Sequence, residues 1–330
     1  MRRRLSLAVL LALVVGVAVA AGAGARTKDV RLNLVAYSTP KPVMTKLISA
    51  FQATSEGSGV SFSTSFGGSS AQAAAVVAGQ PADVVIFSTG TDMNLLVDKG
   101  LVDPKWNRQS YNGVVWNSVV VFALRDGNPK HVKTWNDLVK PGVGVLIPNP
   151  FTAGIAKWDI LTPYVAQRRL GKTDAQARGF VKTLFDHVVS QDSSGSNATN
   201  TFLSGKGDVL VTFESEAING KIPYVIPRQT MLIDIYGAVT KQSQHKDEVN
   251  AFLRFVKSYA GQSILGQNGY RPVNKKAFAD NRKSFPVRPG QTTIDDKLLG
   301  GWRKVDAKWF DPSGGIMAEI EKGLGVSTSG

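Results

Sequence analysis

The sequence predicts an α/β protein of two lobes with a cleft between them. The chain has 330 residues, which is more than one domain usually holds, and 43% of them are hydrophobic. This fraction is enough to bury a sizeable core. Apolar strand-like runs alternate with helical patterns along the chain, and this rhythm is typical of a parallel sheet with helices on both faces. The rhythm starts again near the middle of the chain, so we expect two series of strands and helices.

The first series begins with three predicted strands, VRLNLVAY (30–37), VSFSTSF (60–66) and ADVVIFS (82–88). Val43, Leu47 and Phe51 recur at helical spacing and predict a helix between the first two strands. The alanine-rich segment GGSSAQAAAVVAG predicts a small-residue loop that leads into a second helix.

The second series follows a long apolar segment (114–129) that ends in a turn signal. We interpret this segment as the passage from one lobe to the other, and the strand-like segment 231–240 as the return. Between them, the run GVGVLIP predicts a strand and IAKWDILTPYVAQRRL a helix. A further helix is predicted at about 174–189, with one apolar face formed by Phe180, Leu184, Phe185 and Val188. The C-terminal hundred residues are predicted to be mostly helical.

The N-terminus predicts a secretory signal. MRRR is followed by an uncharged apolar stretch from Leu5 to Ala25 that closes on small residues. We therefore expect export to the periplasm or beyond the cell. An uncleaved membrane anchor is the alternative, because about 20 uncharged residues are long enough to span a bilayer. The expected organisation is a signal peptide at 1–25, lobe I at 26–115 plus 233–330, and lobe II at 116–232.

Composition excludes several kinds of site. The chain has no cysteine, so it has neither a disulfide framework nor a thiolate metal site. The formal net charge is +14, and the charges are spread along the chain rather than gathered with aromatic residues. This spread favours a solvated basic surface over a nucleic-acid interface. A basic exterior is also compatible with an anionic ligand.

Four loops share one design: AYSTPKP (36–42), FGGSSAQ (66–72), NPFTAGIAKW (149–158) and QDSSGSNATN (191–200). Each precedes a predicted helix and consists largely of small, hydroxyl-bearing or proline residues. The first N–H groups of a helix have no internal partner, and the helix dipole places partial positive charge there. The four loops therefore predict an anion site at helix openings, with ordinary helix capping as the alternative interpretation of any one of them.

Enzyme motifs fail on inspection. LGKTD lacks the first glycine of a P-loop, and no G-x-S-x-G elbow occurs. The three histidines are isolated from one another, and the pair Glu214 and Glu216 is interpreted as a solvated helix start. We expect a protein that is not an enzyme and that uses no metal and no cofactor. An exported hydrolase is the less favoured alternative.

The chain resembles the periplasmic sulfate-binding proteins of ABC importers, within the type II solute-binding group. The resemblance rests on FGGSS, PADVVIFS, NPKHVKTWNDLVKPGVGVLIPNP, AKWD, DSSGSNATNTF, GDVLVTFESEA, YRPV and GGWRKVDAKWF, which together cover nearly the whole mature chain. It implies a two-lobe type II periplasmic binding protein fold. It also implies a dehydrated oxyanion held between the lobes by neutral donors, and delivery to an ABC permease with its ATPase.

The resemblance assigns ligand contacts to six positions. Ser69 is expected to donate its hydroxyl, whereas the backbone N–H groups of four further residues donate, namely Ser38, Gly154, Ile155 and Gly195. Phe213 stands where the family has a tryptophan whose indole donates, and Ala153 stands where the family has a hydroxyl, since TAGIAKWD replaces SSGGARWN.

The implied function is capture of sulfate or thiosulfate by an exported, monomeric binding protein without nucleic-acid partners. Because two family donors are missing, another oxyanion such as molybdate or phosphate remains the alternative ligand. Hydrogen phosphate requires an acceptor for its proton, and Asp159 or Asp192 would supply one if either faced the cleft.

Overall fold

A computed structural model describes residues 29–326 and residue 328 of the chain. The predicted signal peptide lies outside these residues. The strands are β1 (Val30–Tyr37), β2 (Val60–Gly67), β3 (Val84–Phe87), β4 (Val114–Leu124), β5 (Val145–Leu146), β6 (Val188–Ser190), β7 (Val209–Phe213), β8 (Tyr224–Val225) and β9 (Leu232–Val239).

The helices lie between these strands and after β9. They are α1 (Lys41–Gln52), α2 (Ser69–Val77), α3 (Gly90–Asp98), α4 (Gly154–Arg169), α5 (Asp174–Asp186), α6 (Gly195–Leu203), α7 (Glu214–Asn219), α8 (Lys246–Lys257), α9 (Tyr259–Gln267), α10 (Lys275–Asp280), α11 (Trp302–Val305) and α12 (Ile316–Gly323). In the described part of the chain, no helix is both long enough and apolar enough to cross a membrane.

The strands form one continuous sheet in the order β2-β1-β3-β9-β4-β7-β5-β6, with β8 paired to β4. The α/β class is confirmed, but the sheet is mixed rather than parallel. β1 runs parallel to β2 and β3, and β5 runs parallel to β6 and β7. β9 is antiparallel to both of its neighbours, as is β4. Because β9 and β4 lie between the two groups of parallel strands, β5, β6 and β7 run opposite to β1, β2 and β3.

β4 connects the two series within a single strand. Its first residues (114–119) pair with β9, and its last residues (120–124) pair with β7. The strands β2, β1, β3 and β9 are called the first sheet half here, and β7, β5 and β6 the second sheet half. The segment that the sequence marks as a passage is therefore the strand at which one half gives way to the other.

Both faces of the sheet are covered by helices. Most buried apolar side chains belong to one large core, and a second cluster lies where α6 and α7 cover β4 and β7. The predicted apolar face of α1 is confirmed, since Val43, Leu47 and Phe51 are all buried. The four loops follow β1, β2, β5 and β6, so within each sheet half they lie at the carboxyl ends of parallel strands.

Two sequence predictions of local structure are wrong, and one helix was not predicted. Val188 lies in β6 rather than on α5, because α5 ends at Asp186. The helix α3 was not predicted; it begins directly after its cap Thr89. The C-terminal region is helical only in parts, because residues 281–301 contain no helix or strand.

Candidate functional site

Three of the four predicted loops touch one another at Gly68. A Cβ atom on Gly68 would lie 2.4 Å from the carbonyl oxygen of Thr152 and 2.5 Å from that of Ser193. The amide of Ala71 also donates to the Thr152 carbonyl, at 3.1 Å. Only glycine allows this approach. The N-terminal end (opening) of α2, in the first sheet half, therefore contacts the loops at the openings of α4 and α6 in the second.

Gly154, the first residue of α4, packs against the end of β3. A Cβ atom on Gly154 would lie 2.5 Å from Ser88 Oγ and 2.9 Å from Ser69 Cβ. The indole of Trp158, one turn further along α4, donates to the carbonyl of Ser88 at 2.6 Å. The predicted site residues Ser69 and Gly154 are therefore direct neighbours.

The opening of α6 completes the arrangement. A Cβ atom on Gly195 would lie 3.2 Å from Ile155 Cδ1 and 3.2 Å from Glu216 Oε1. The amide of Ser196 approaches Ser38 Oγ at 3.4 Å. The structure thus brings Ser38, Ser69, Gly154, Ile155 and Gly195 into one contiguous group of loops.

Most of these helix openings lack a side-chain cap. α1, α2 and α4 begin without any capping hydrogen bond from a side chain, whereas Ser194 caps α6 by accepting from the amide of Asn197. Across the described residues, the amides of Gly154, Ile155 and Gly195 donate to no acceptor. Uncapped N–H groups and the helix dipoles together make this region attractive to an anion.

A cavity of about 610 Å³ opens beside these loops. Both sheet halves contribute to its wall, and most of its polar lining consists of hydroxyl and amide groups. The lining includes Ser38, Thr39, Gly68, Ser194, Ser196 and Thr199, together with the carboxyl group of Glu216.

Asp92, on α3, accepts hydrogen bonds from three hydroxyl groups next to this region. Its Oδ2 atom accepts from Ser69 Oγ at 2.6 Å and from Thr89 Oγ1 at 2.8 Å, and its Oδ1 atom accepts from Ser70 Oγ at 2.8 Å. Ser69 Oγ also accepts from the amide of Ser88 at 3.1 Å. Asp92 was missed in the sequence because α3 itself was not predicted.

Glu216 likewise accepts hydrogen bonds from hydroxyl groups of the first and fourth loops. Its Oε1 atom accepts from Thr39 Oγ1 at 2.6 Å and from Ser196 Oγ at 3.3 Å, and its Oε2 atom accepts from Thr199 Oγ1 at 3.0 Å. Burial raises the pKa of Glu216, and these hydroxyl donors oppose that rise.

The interpretation of Glu214 and Glu216 as a solvated helix start is wrong. Glu214 is fully buried and forms an ion pair with Arg271, whose Nε and Nη2 atoms donate at 2.6 and 2.9 Å. Glu216 is buried as well. The partners of their shortest hydrogen bonds, Arg271 and Thr39, lie 57 and 177 positions away in the chain, so local sequence gave no sign of either bond.

Asp159 is the least satisfied acid of the region. It is fully buried, and both carboxyl oxygens lack a hydrogen-bond partner among the residues that the structure describes. Burial, followed by the negative charge of Glu216, raises the pKa of Asp159 well above its usual range. Asp192, by contrast, accepts from Ser190 and Thr201 and does not line the cavity.

Phe213 ends β7 and is fully buried. Its ring brings no hydrogen-bond donor, so it does not replace an indole N–H. Ala153 lies at the N-cap position of α4, where it makes no side-chain hydrogen bond to the helix, and it is also buried.

The geometry offers little to hydrolysis or to metal chemistry. No histidine lines the cavity, and the hydroxyl of Ser69 donates to the carboxylate of Asp92 rather than to a histidine of the kind that activates a nucleophilic serine. Within residues 29–326, no group of three or more His, Asp or Glu residues is arranged to hold a metal ion.

Comparison with known proteins gives consistent matches. The family model for bacterial extracellular solute-binding proteins matches residues 32–271. The sulfate-binding protein of Escherichia coli is 33% identical over 312 residues, which cover 89% of this chain and 94% of that protein. The thiosulfate-binding protein of Pseudomonas aeruginosa is 34% identical over 279 residues, covering 80% and 83% respectively.

A solved structure agrees with these sequence matches. The sulfate-binding protein SubI from Mycobacterium tuberculosis superimposes with a TM-score of 0.82 at 40% identity, and the match covers 86% of this chain and all of that one. A periplasmic binding protein from Actinobacillus pleuropneumoniae, with a TM-score of 0.63 at 19% identity, shares the fold.

Proposed function

The chain belongs to the bacterial extracellular solute-binding proteins, in the group of sulfate- and thiosulfate-binding proteins, and on this premise we propose that it captures sulfate or thiosulfate for import by an ABC transporter. One observation carries the proposal. The openings of α2, α4 and α6 converge across the two sheet halves, and in the described part of the chain the amides of Gly154, Ile155 and Gly195, at the openings of α4 and α6, donate to no acceptor.

The donor set suits an oxyanion without a proton. The groups available at the helix openings are backbone N–H groups and hydroxyls, which can donate to every oxygen of sulfate, whereas only the hydroxyl oxygens among them can accept from a protonated oxygen. Hydrogen bonds to charged groups contribute about 1.5–3 kcal/mol each. The proposed contacts are the amides of Ser38, Gly154, Ile155 and Gly195, together with the hydroxyl of Ser69.

Phosphate is the second candidate, and Glu216 is the observation that favours it. Glu216 lines the cavity, and three hydroxyls already donate to its carboxylate. A carboxylate has about four lone-pair positions, so one remains for the proton of hydrogen phosphate. Sulfate is preferred here because the relatives named above bind sulfate or thiosulfate, by their names.

We also propose how the protein is exported, how its two lobes close and what it docks on. The protein is exported by the signal at 1–25 and is not an enzyme. Lobe I comprises 26–115 and 233–330, and lobe II comprises 116–232; hinged closure of the two excludes water from the anion. The closed protein, a monomer, presents both lobe surfaces around the cleft mouth to a permease with its ATPase.

Calorimetric titration of the purified mature chain tests the proposal. The protein is first unfolded, dialysed and refolded to remove carried-over ligand, and is then titrated with sulfate, thiosulfate, molybdate and phosphate separately. The expected result is saturable binding of one anion per chain, tightest for sulfate or thiosulfate. Binding of none of the four anions would overturn the proposal, and a clear preference for phosphate would favour the second candidate.

A further inference from the structure

Ser88, directly after β3, carries a buried hydroxyl group without a partner. The residue is fully buried, and its Oγ atom forms no hydrogen bond with any described residue. A buried hydroxyl without a partner costs roughly 1 to 3 kcal/mol. Native proteins rarely leave such a group unsatisfied unless a water, an ion or a ligand completes it.

The position of Ser88 indicates which kind of partner is absent. Its Oγ atom lies 2.5 Å from the point at which a Cβ atom on Gly154 would stand. Its amide donates to Ser69 Oγ, and its carbonyl accepts from the indole of Trp158. Both backbone groups of Ser88 are therefore held in place, and its unpaired hydroxyl lies against the opening of α4, where two amides also lack acceptors.

The surroundings of Ser88 favour a donor role for this hydroxyl. Asp92, whose Oδ2 atom lies 3.1 Å from the same Cβ point on Gly154, already accepts from three hydroxyls, so it does not depend on Ser88. Ala153, which precedes α4, has no hydroxyl of its own. The opening of α4 therefore has a hydroxyl beside it that comes from the residue after β3 rather than from α4.

We propose that the Ser88 hydroxyl donates a hydrogen bond directly to the bound oxyanion, and that it supplies the hydroxyl that residue 153 does not provide. The inference rests on the proposed function. It adds a specificity-determining residue from a part of the chain that the sequence did not connect with the site. An anion bound between Ser69 and the amides of Gly154 and Ile155 would satisfy Ser88 and those amides together.

The test is the variant Ser88→Ala, titrated with sulfate beside the wild-type protein. Losing one hydrogen bond to a charged oxygen is expected to weaken sulfate binding by about ten- to a hundredfold. The thermal midpoint of the anion-free variant is expected to stay the same or to rise, because the substitution removes an unsatisfied polar atom. Ser88→Cys, which keeps the shape but has a slightly larger side chain and only a weak donor, is expected to weaken binding in the same way.

Ser118→Ala is the matched control. Ser118 is also buried with an unpaired hydroxyl, but it lies in β4 opposite Ile233 and not beside the loops. Its replacement is expected to leave sulfate affinity unchanged. Equal affinity of the wild-type protein and both Ser88 variants would overturn the role of Ser88 while leaving the proposed function intact. Failure of the wild-type protein itself to bind any oxyanion would instead overturn the proposed function.

Discussion

Ser69 Oγ donates a 2.6 Å hydrogen bond to Asp92 Oδ2 and accepts one from the amide of Ser88. The hydroxyl expected to bind the anion is thus oriented by an acid of the neighbouring helix. Without ligand, its proton is directed at Asp92. Donation to an anion requires the Ser69 hydroxyl to rotate, and Asp92 retains Thr89 and Ser70 as donors when it does.

Replacement of Ser69 by alanine is expected to weaken sulfate binding at least tenfold, because a donor to a buried charged oxygen is lost. Titration calorimetry measures the change. Ser70→Ala is the control, since Ser70 also donates to Asp92 but from the next position of α2. The control is expected to keep affinity within about threefold of the wild-type value. An unchanged affinity in Ser69→Ala would exclude this hydroxyl from the site.

The bond from Thr39 to Glu216 joins the first loop to α7 across the cavity. Thr39→Val preserves the shape of the side chain but removes this donor from a buried carboxylate. We expect sulfate to dissociate about tenfold faster, because the closed arrangement loses one of its connections. Stopped-flow measurement of the dissociation rate tests this expectation.

Thr45→Val is the control for the Thr39 variant. Thr45 is exposed on α1 and donates only to the carbonyl of Lys41 in its own helix. Its replacement should leave the dissociation rate of sulfate as it is. Equal dissociation rates in the wild-type protein and the Thr39 variant would show that this bond does not hold the cleft closed.

The raised pKa of Asp159 predicts how the free energy of unfolding depends on pH. Its pKa is raised in the folded state, so the folded protein keeps the proton to a higher pH than the unfolded chain does. The resulting stability is complete at low pH and is lost as the pH rises through the raised pKa. Asp159→Asn removes this loss, and we expect its free energy of unfolding at about pH 9 to exceed that of the wild-type protein by roughly 1 to 3 kcal/mol.

Urea unfolding from about pH 5 to about pH 9 measures this difference. Asp192→Asn is the control, since Asp192 already has two hydroxyl donors. Parallel pH profiles for the wild-type protein and the Asp159 variant would contradict the account of Asp159. Glu216, whose pKa burial also raises, is expected to leave a smaller slope of the same sign in the variant.

Local patterns in the sequence predicted elements that bury one clear face. β1 and the apolar face of α1 are examples, since β1 is a mostly apolar and mostly buried run and the buried positions of α1 recur at helix spacing. The loops at Ser69, Gly154 and Gly195 were also predictable, because small residues before a helix have a local physical reason.

The rest depends on partners far away in the chain. Glu216 receives its shortest hydrogen bond from a residue 177 positions earlier, so nothing near it in the sequence indicates burial. Ser88 becomes informative only when α4 packs against β3, and Trp158 lies 70 positions beyond it. The antiparallel direction of β4 and β9 likewise follows from tertiary pairing and not from their apolar patterns.

The most direct test of an oxyanion cleft closed around helix openings uses Gly68. Its backbone angles, φ −59° and ψ 134°, are accessible to alanine, but a Cβ atom there would collide with the carbonyls of Thr152 and Ser193. Gly68→Ala should therefore fold but fail to close. Gly179→Ala, on the open surface of α5, is the control because a Cβ atom there meets nothing.

The measurement is a calorimetric titration of sulfate into ligand-free wild-type, Gly68→Ala and Gly179→Ala proteins under identical conditions. We predict one sulfate per chain for the wild-type and control proteins, and at least a hundredfold weaker binding by a folded Gly68 variant, equivalent to about 2.7 kcal/mol. Wild-type affinity for sulfate in Gly68→Ala, or no sulfate binding in the wild-type protein, would contradict the account.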